Sequence, residues 1–439
     1  MRKGLSILCG LGIWVLAASP LYAGGIINKS NQSADYMRTL NRSAATDYPD
    51  IAVYNPAGIM QMENGAYAKL DVLYFDKDYS NTIPNNAFPP FNQPFGKLSQ
   101  DKASVIPAFF AVFKQERWAG FFAFTIPAGG GELEYNDGSA RTVKLASGIA
   151  QGLNRGATGG ATNALPYNLI ASQREKVKDS VAYGFSLGGS YAINKMWSVA
   201  AAARYVYSTR EFDGEATIAS SAGLAPPLPL RLDVKEDDGG LGGYFGVNFA
   251  PNDRLNTALT FYTSTDIKYE REVKKDTLLP NGLPLSIATG FRDGSTIQDD
   301  IPGQLGFGIS YKFLPQLNVA LNYVLYLEKS ATIQTFSGEG NSWDLGITAE
   351  YTFSPQWKAS IGYLHTDIKL PDDQQIEQPE EPKLDADTFG AGVVFSPTPK
   401  WDITFGGAYV NYKDVTDDLD IKYDKTVWNL SAGVTWKFF

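Results

Sequence analysis

The chain has 439 residues, 44% hydrophobic and 13% aromatic, with a formal net charge of −9 at pH 7. That acidity argues against nucleic-acid binding, which rests on neutralising phosphates. A single cysteine and a single histidine leave no disulfide framework and no metal-ligating cluster. Past the N-terminus there is no run of roughly 18 apolar residues, which excludes membrane-spanning helices.

Arg2 and Lys3 precede an apolar run from Leu5 to Ala18, followed by Ser19-Pro20-Leu21-Tyr22-Ala23. A charged region, an apolar region and a small residue at a cleavage point predict an export signal over 1–23. Cys9 lies inside this segment and not at its end, where a lipoprotein needs its cysteine. The mature chain therefore has no thiol nucleophile and no cysteine metal ligand.

Residues 24–64 are polar, rich in small residues and do not alternate. They also carry Ile51, Val53, Tyr54, Ile59, Met60 and Met62, which are too apolar for a solvated tail. This segment is expected to fold as a plug, or hatch, inside whatever the rest of the chain builds.

From residue 65 to 439 the pattern is strict alternation. Trp343, Leu345, Ile347, Ala349, Tyr351 and Phe353 share one parity; Asp344, Gly346, Thr348, Glu350, Thr352 and Ser354 share the other. Leu317 to Leu325, Trp357 to Tyr363, Val181 to Leu187 and Leu305 to Phe313 read the same way. An apolar outer face with aromatic ends and a polar inner face is the pattern of a closed membrane barrel. Fourteen strands are predicted, centred near 70, 109, 123, 185, 202, 242, 262, 306, 322, 348, 362, 390, 406 and 432. Short turns such as Gln115-Glu116-Arg117 and Leu314-Pro315-Gln316 alternate with long polar loops near 77–102, 137–175, 212–231, 271–296, 330–341, 370–385 and 413–424. Long loops lie outside and short turns in the periplasm, so both termini are expected on the periplasmic side.

Three features bear on cargo. In strand two, outward Val105 and Phe109 leave Ile106, Phe110 and Val112 facing inward, and Phe121 of strand three has the same parity. These side chains either line an apolar lumen pocket or pack against the plug; neither suits a water-lined porin. Strand three then runs into Pro127-Ala128-Gly129-Gly130-Gly131, where proline and glycine mark an end or a break in the ladder. Two outer loops are apolar, one with Leu224, Leu228 and Leu230, the other with Leu279, Leu283 and Leu285. Exposed apolar clusters mark contact with something apolar, unless they pack on each other or meet a protein or phage. Inward Arg204 and Arg210 are the candidate partners for a cargo carboxylate. His365 shares the outward parity of Trp357 and Tyr363, which makes it a rim residue and not a hydrolase catalyst. No catalytic residue, metal site or cofactor motif is predicted.

The motif Asn55-Pro56-Ala57-Gly58, within Asp47 to Ile59 and just before the first strand, resembles the end of the hatch in the outer-membrane long-chain fatty acid and aromatic hydrocarbon transporters. Ser190 to Ser198 is similar to that family's fourth hairpin turn. Ser431 to Phe438, polar-x-Gly-x-x-aromatic-x-aromatic, resembles the terminal signal read by the barrel assembly machinery, with Phe439 one residue beyond the register. The resemblance implies a third strand kinked inward at Pro127, Gly129, Gly130 and Gly131 to open a lateral gap, and capture of substrate between the third and fourth loops. The expected protein is an all-β, transmembrane antiparallel barrel of the bacterial outer membrane, monomeric and surrounded by lipid and lipopolysaccharide. It is expected to take up long-chain fatty acids or similar lipids passively, with aromatic hydrocarbons as the alternative. A polar-solute porin and a lipid hydrolase are the readings from other classes.

Overall fold

The computed structural model describes residues 32–100, 102–158, 166–333, 340–369 and 378–438. The predicted export signal and Phe439 lie outside them. The wall is built from β1 (Gly65–Ile83), β2 (Ser104–Gln115), β3 (Trp118–Tyr135), β4 (Leu169–Ala192), β5 (Trp197–Ala219), β6 (Leu228–Phe249), β7 (Leu255–Tyr262, continued by Lys268–Asp276), β8 (Thr296–Gln298, continued by Gln304–Lys312), β9 (Leu317–Tyr326), β10 (Trp343–Ser354), β11 (Trp357–Asp367), β12 (Ala386–Thr398), β13 (Trp401–Tyr412) and β14 (Lys422–Lys437). Each pairs antiparallel with its neighbour in sequence, and β14 returns to β1 from Tyr67↔Lys437 to Thr82↔Lys422. The sheet is thus a closed fourteen-stranded barrel, and every predicted strand centre falls inside a strand. The breaks in β7 and β8 lie side by side and are joined by the bridge Thr265↔Ile301.

The alternation read from the sequence is the alternation of exposure. In β10, Leu345 and Ile347 are about half exposed while Asp344 and Thr348 are buried. A water-soluble sheet would invert this; here the apolar side is the outer surface, as lipid demands. Aromatic side chains ring the short-turn end, where Trp401 and Trp436 stack at 5.1 Å and Trp357 and Phe395 at 4.6 Å.

Several loop assignments change; the loop expected at 77–102, for one, includes the end of β1 and a short strand, Gly96–Gln100, paired with it. The stretch 212–231, expected as a loop, is mostly strand, because β4, β5 and β6 run 24, 23 and 22 residues. About 9–11 residues suffice to cross the bilayer, so these strands continue outward as a wall, with Phe212, Ile218, Leu230 and Leu232 buried on its inner face. The polar loop 137–175 contains the helix α1 (Ala140–Thr158). Its N-terminus is capped by Ser139, whose Oγ accepts from the Arg141 amide at 3.0 Å. Buried Val143, Ala146 and Ala150 recur at helical spacing on the side facing the barrel.

Candidate transport path

Residues 32–64 occupy the barrel interior, while residues 24–31 of the expected hatch lie outside the described residues. A short helix, α2 (Ala34–Thr39), lies against β10 to β14 and β1, and inward glycines let its backbone approach the wall. A Cβ on Gly390 would lie 2.7 Å from the Met37 carbonyl oxygen, and one on Gly362 would lie 2.3 Å from that of Thr39. Buried ion pairs hold this half. Asp35 meets Arg38 at 2.7 Å and Lys69 of β1 at 2.8 Å, while Arg42 bridges Asp47 and Asp50, each at 2.7 Å. Arg38 also pairs with Glu350 of β10. Burial pushes the Asp47 carboxyl up, but Arg42, Lys358 and Arg38 outweigh it and hold it down at about 2.

The second half is two short 3-10 turns, Pro49–Val53 and Pro56–Gln61. Pro56 fixes the entry to the second turn, and Asn55 caps it, its Oδ1 accepting from the Gly58 amide at 3.1 Å. The Asn55 Nδ2 donates to the Ala45 carbonyl and to Asn248 of β6. Only glycine fits at 58, since a Cβ would lie 2.3 Å from Asn55 Nδ2. The carbonyls of Pro56 and Ala57 accept from Ser190 of β4 and Ser198 of β5, both at 2.7 Å. The motif is thus a turn pinned to three adjacent strands.

Phe110, Val112 and Phe121 do face inward, but they pack against Ile51, Val53, Ile59 and Met60 of this turn region and are buried. Packing against the plug is one of the two roles expected of them. Ile106 is the member of that group that does reach a cavity.

The wall is interrupted beside this contact. The β2–β3 ladder ends at Phe109↔Phe124, so Ser104–Ala108 have β1 on one edge and no β3 partner on the other. Beyond Phe124 the alternation of β3 collapses into a buried run from Thr125 to Gly130: the strand has left the outer surface and entered the lumen. It stays attached to β4, but only through three register shifts between Thr125 and Leu133. Gly129 and Gly131 have φ of +88° and +83°, and a Cβ on Gly129 would sit 2.4 Å from the Ser180 carbonyl oxygen. The unpaired stretch of β2 spans roughly 13 Å at about 3.3 Å per residue. Proline and glycine here make an inward kink and not the end of the strand.

Two small cavities of about 10 Å³ each flank the kink. One is bounded by Val53, Thr125, Pro127, Arg204, Tyr262 and Ile301; the other by Phe75, Lys77, Ile106, Ile126, Gly129 and Gly130. The two arginines singled out from sequence differ sharply. Arg210 is engaged by Glu236 at 2.6 Å and Asp299 at 3.1 Å. Arg204 is nine-tenths buried, donates to Thr265 Oγ1 at 2.9 Å and lies 5.0 Å from the Tyr262 ring centre. Its Nε has no hydrogen-bond partner, and among the described residues no carboxylate forms an ion pair with it. Inward parity is common to both; the register of β5 with β6 sets Glu236 beside Arg210 but Gly242 beside Arg204, and Asp299 adds a second carboxylate to Arg210 alone.

On the outer side an apolar groove of about 40 Å³ runs between α1 and the extended wall, bounded by Leu145, Ile149, Phe212, Leu230, Leu232 and Leu285. Leu279 is buried beside it, Leu228 and Leu283 are half-buried, and Leu224 is exposed. The α1 side of this groove was hidden in a segment read as loop. At the short-turn end a larger space of about 700 Å³ is polar, reached by Arg42, Asp47, Lys312, Glu350 and Lys358. His365 sits on the outer face, 2.9 Å from Asp387 Oδ1 and beside Trp343.

A closed outer-membrane barrel whose lumen is filled by its own N-terminal segment is a plugged transport barrel. The family model described as outer membrane protein transport protein (OMPP1/FadL/TodX) matches residues 14–438. The chain belongs to that family, a class of outer-membrane transporters for hydrophobic substrates. Its fold is similar to that of a Pseudomonas aeruginosa FadL homologue (TM-score 0.66, 13% identity, 96% of this chain and 100% of that one). It is also similar to the Ralstonia pickettii toluene transporter TbuX (TM-score 0.60, 14% identity, 92% and 98%) and the P. putida toluene transporter TodX (TM-score 0.57, 12% identity, 90% and 96%). No curated protein sequence matches the chain.

Proposed function

We propose that the chain takes up long-chain fatty acids or similar amphipathic lipids passively and releases them sideways into the outer membrane. The interruption of the β2–β3 ladder after Phe124 carries this reading. Cargo collects in the groove between α1, Leu230 and Leu285, passes into the lumen beside Arg204, and leaves through the gap formed by Pro127, Gly129, Gly130 and Gly131. Arg204 favours an anionic headgroup, because a buried cation without a carboxylate partner is costly unless something pairs with it. Arg210, already held by two carboxylates, has no part in this. Residues 1–23 are an export signal removed on secretion, 24–64 are the hatch, and both termini of the monomer face the periplasm after insertion by the barrel assembly machinery.

Aromatic hydrocarbons are the second reading. The toluene transporters share the fold at low identity, and a neutral cargo needs no Arg204. The test of the route is to replace Pro127-Ala128-Gly129-Gly130-Gly131 by Val-Thr-Val-Thr-Val, which restores ladder-forming residues. Folding and surface display are expected to survive, with uptake of a labelled fatty acid at the level of cells lacking the protein. Unchanged uptake by the folded closed-wall variant refutes lateral release.

A further inference from the structure

A lysine that the path does not use closes the kink on its lumen side. Lys77 of β1 points inward between Phe75 and Tyr79 and is buried. Its ammonium donates three hydrogen bonds: to Ser104 Oγ of β2 at 2.9 Å, to the Gly130 carbonyl at 2.8 Å and to the Glu132 carbonyl at 2.7 Å. Those are all the donors an ammonium has, and among the described residues no carboxylate lies within ion-pair distance of it. A buried ammonium spent on two backbone carbonyls is unusual, and the gap explains it. Once β3 leaves β2, its β2-facing carbonyls lose their ladder partners, and carbonyls buried there need another donor. Lys77 supplies the missing donors from the strand on the far side of β2.

The contact also reaches across the gap. Ser104 is the first residue of β2, while Gly130 and Glu132 flank Gly131, whose absent Cβ would lie 2.5 Å from Ser104 Oγ. The gap therefore has two boundaries, the Phe109↔Phe124 ladder at one end and the Lys77 contact at the other. The segment between them, Thr125 to Gly130, separates the cavity holding Arg204 from the cavity holding Ile106. We propose that Lys77 is the latch of a lateral gate whose moving part is the Thr125–Gly131 segment. This rests on the lateral-release reading. Cargo crosses from the Arg204 side to the Ile106 side when the segment shifts, and the Lys77 hydrogen bonds set how often it does.

The test compares Lys77→Met with Lys77→Arg in the full-length protein. Methionine keeps an unbranched chain but removes every donor; arginine keeps the charge and the donors. In Lys77→Met, amide hydrogen exchange over 125–133 is expected to quicken by roughly tenfold or more, the factor that losing about 1.4 kcal/mol of local protection gives. Exchange in β10 to β13 is expected to stay at the wild-type rate. The maximal uptake rate should rise several-fold with the half-saturating concentration unchanged, and Lys77→Arg should restore both measurements. Wild-type exchange over 125–133 in the folded methionine variant overturns the latch. If exchange quickens but uptake does not, and the closed-wall variant still transports, lateral release fails while the contact itself stands. Faster exchange with unchanged uptake, beside a closed-wall variant that is inactive, refutes the gate.

Discussion

Replacing Arg204 by methionine separates an acid cargo from a neutral one. The side chain has one hydrogen bond, to Thr265 Oγ1, and one ring contact, to Tyr262; its Nε is uncommitted. A carboxylate entering this cavity gains at least one hydrogen bond from a charged donor, worth about 1.5–3 kcal/mol. Its loss should weaken acid binding by roughly 10- to 150-fold. The methyl ester keeps the same acyl chain but presents no charge, so its affinity should change far less. Methionine leaves no carboxylate stripped of a cation, and the barrel should fold normally. The assay is titration of the detergent-solubilised protein with hexadecanoic acid and its methyl ester, checked by native mass spectrometry. An equal loss for acid and ester, or none for either, refutes the role assigned to Arg204 and favours neutral hydrocarbons.

Arg210→Met should behave in the opposite way. It takes a buried cation from Glu236 and Asp299; because Glu236 keeps Arg271, the loss should fall at or below the low end of the roughly 3–5 kcal/mol typical of a broken buried pair, and unfolding on heating should move to lower temperature without selectivity between acid and ester. Gly390→Val places a side chain 2.7 Å from the Met37 carbonyl and 2.8 Å from Leu40 Cγ. It should lift α2 from the wall and raise single-channel conductance in planar bilayers, where the wild type is expected to conduct poorly.

The barrel was legible because lipid imposes a period-two code on every strand, and its outward apolar set is visible without knowing what lies inside. The inward set obeys no such code. Phe110 and Ile106 have the same parity, yet one packs under the plug and the other lines a cavity, a difference set by where Ile51 to Met60 fall. Arg204 and Arg210 differ through the register of β5 with β6, which sets Gly242 beside one and Glu236 beside the other, and through Asp299. Lys77 carried no sequence signal, since an inward lysine is ordinary in a barrel; its partners are carbonyls exposed by a kink some fifty residues away. The helix α1 did leave a trace in Val143, Ala146 and Ala150, but in a segment framed by glycines and polar residues the pattern reads as loop.

The polarity of the plug's short-turn side bears on the route. A cargo passing straight through would enter the space bounded by Arg42, Asp47, Glu350 and Lys358, where water and charge surround its chain. Each methylene returned to water costs about 0.8 kcal/mol, so an acyl chain of roughly fifteen methylenes faces about 12 kcal/mol. Crossing between β2 and β3 avoids most of that cost: Phe75, Ile106, Ile126 and glycine backbone line the way, with Lys77 the one charged side chain among them. The charged headgroup faces the reverse difficulty, since it is held by Arg204 and then has to pass a gap whose one cation, Lys77, already gives its three donors to Ser104, Gly130 and Glu132. A carboxylate that picks up a proton crosses as a neutral acid, so on the lateral route acid uptake should quicken as the medium is made more acidic, while ester uptake stays flat. Uptake assays across a pH series, run on cells with and without the protein, measure that difference. Parallel pH profiles for acid and ester refute a neutral crossing.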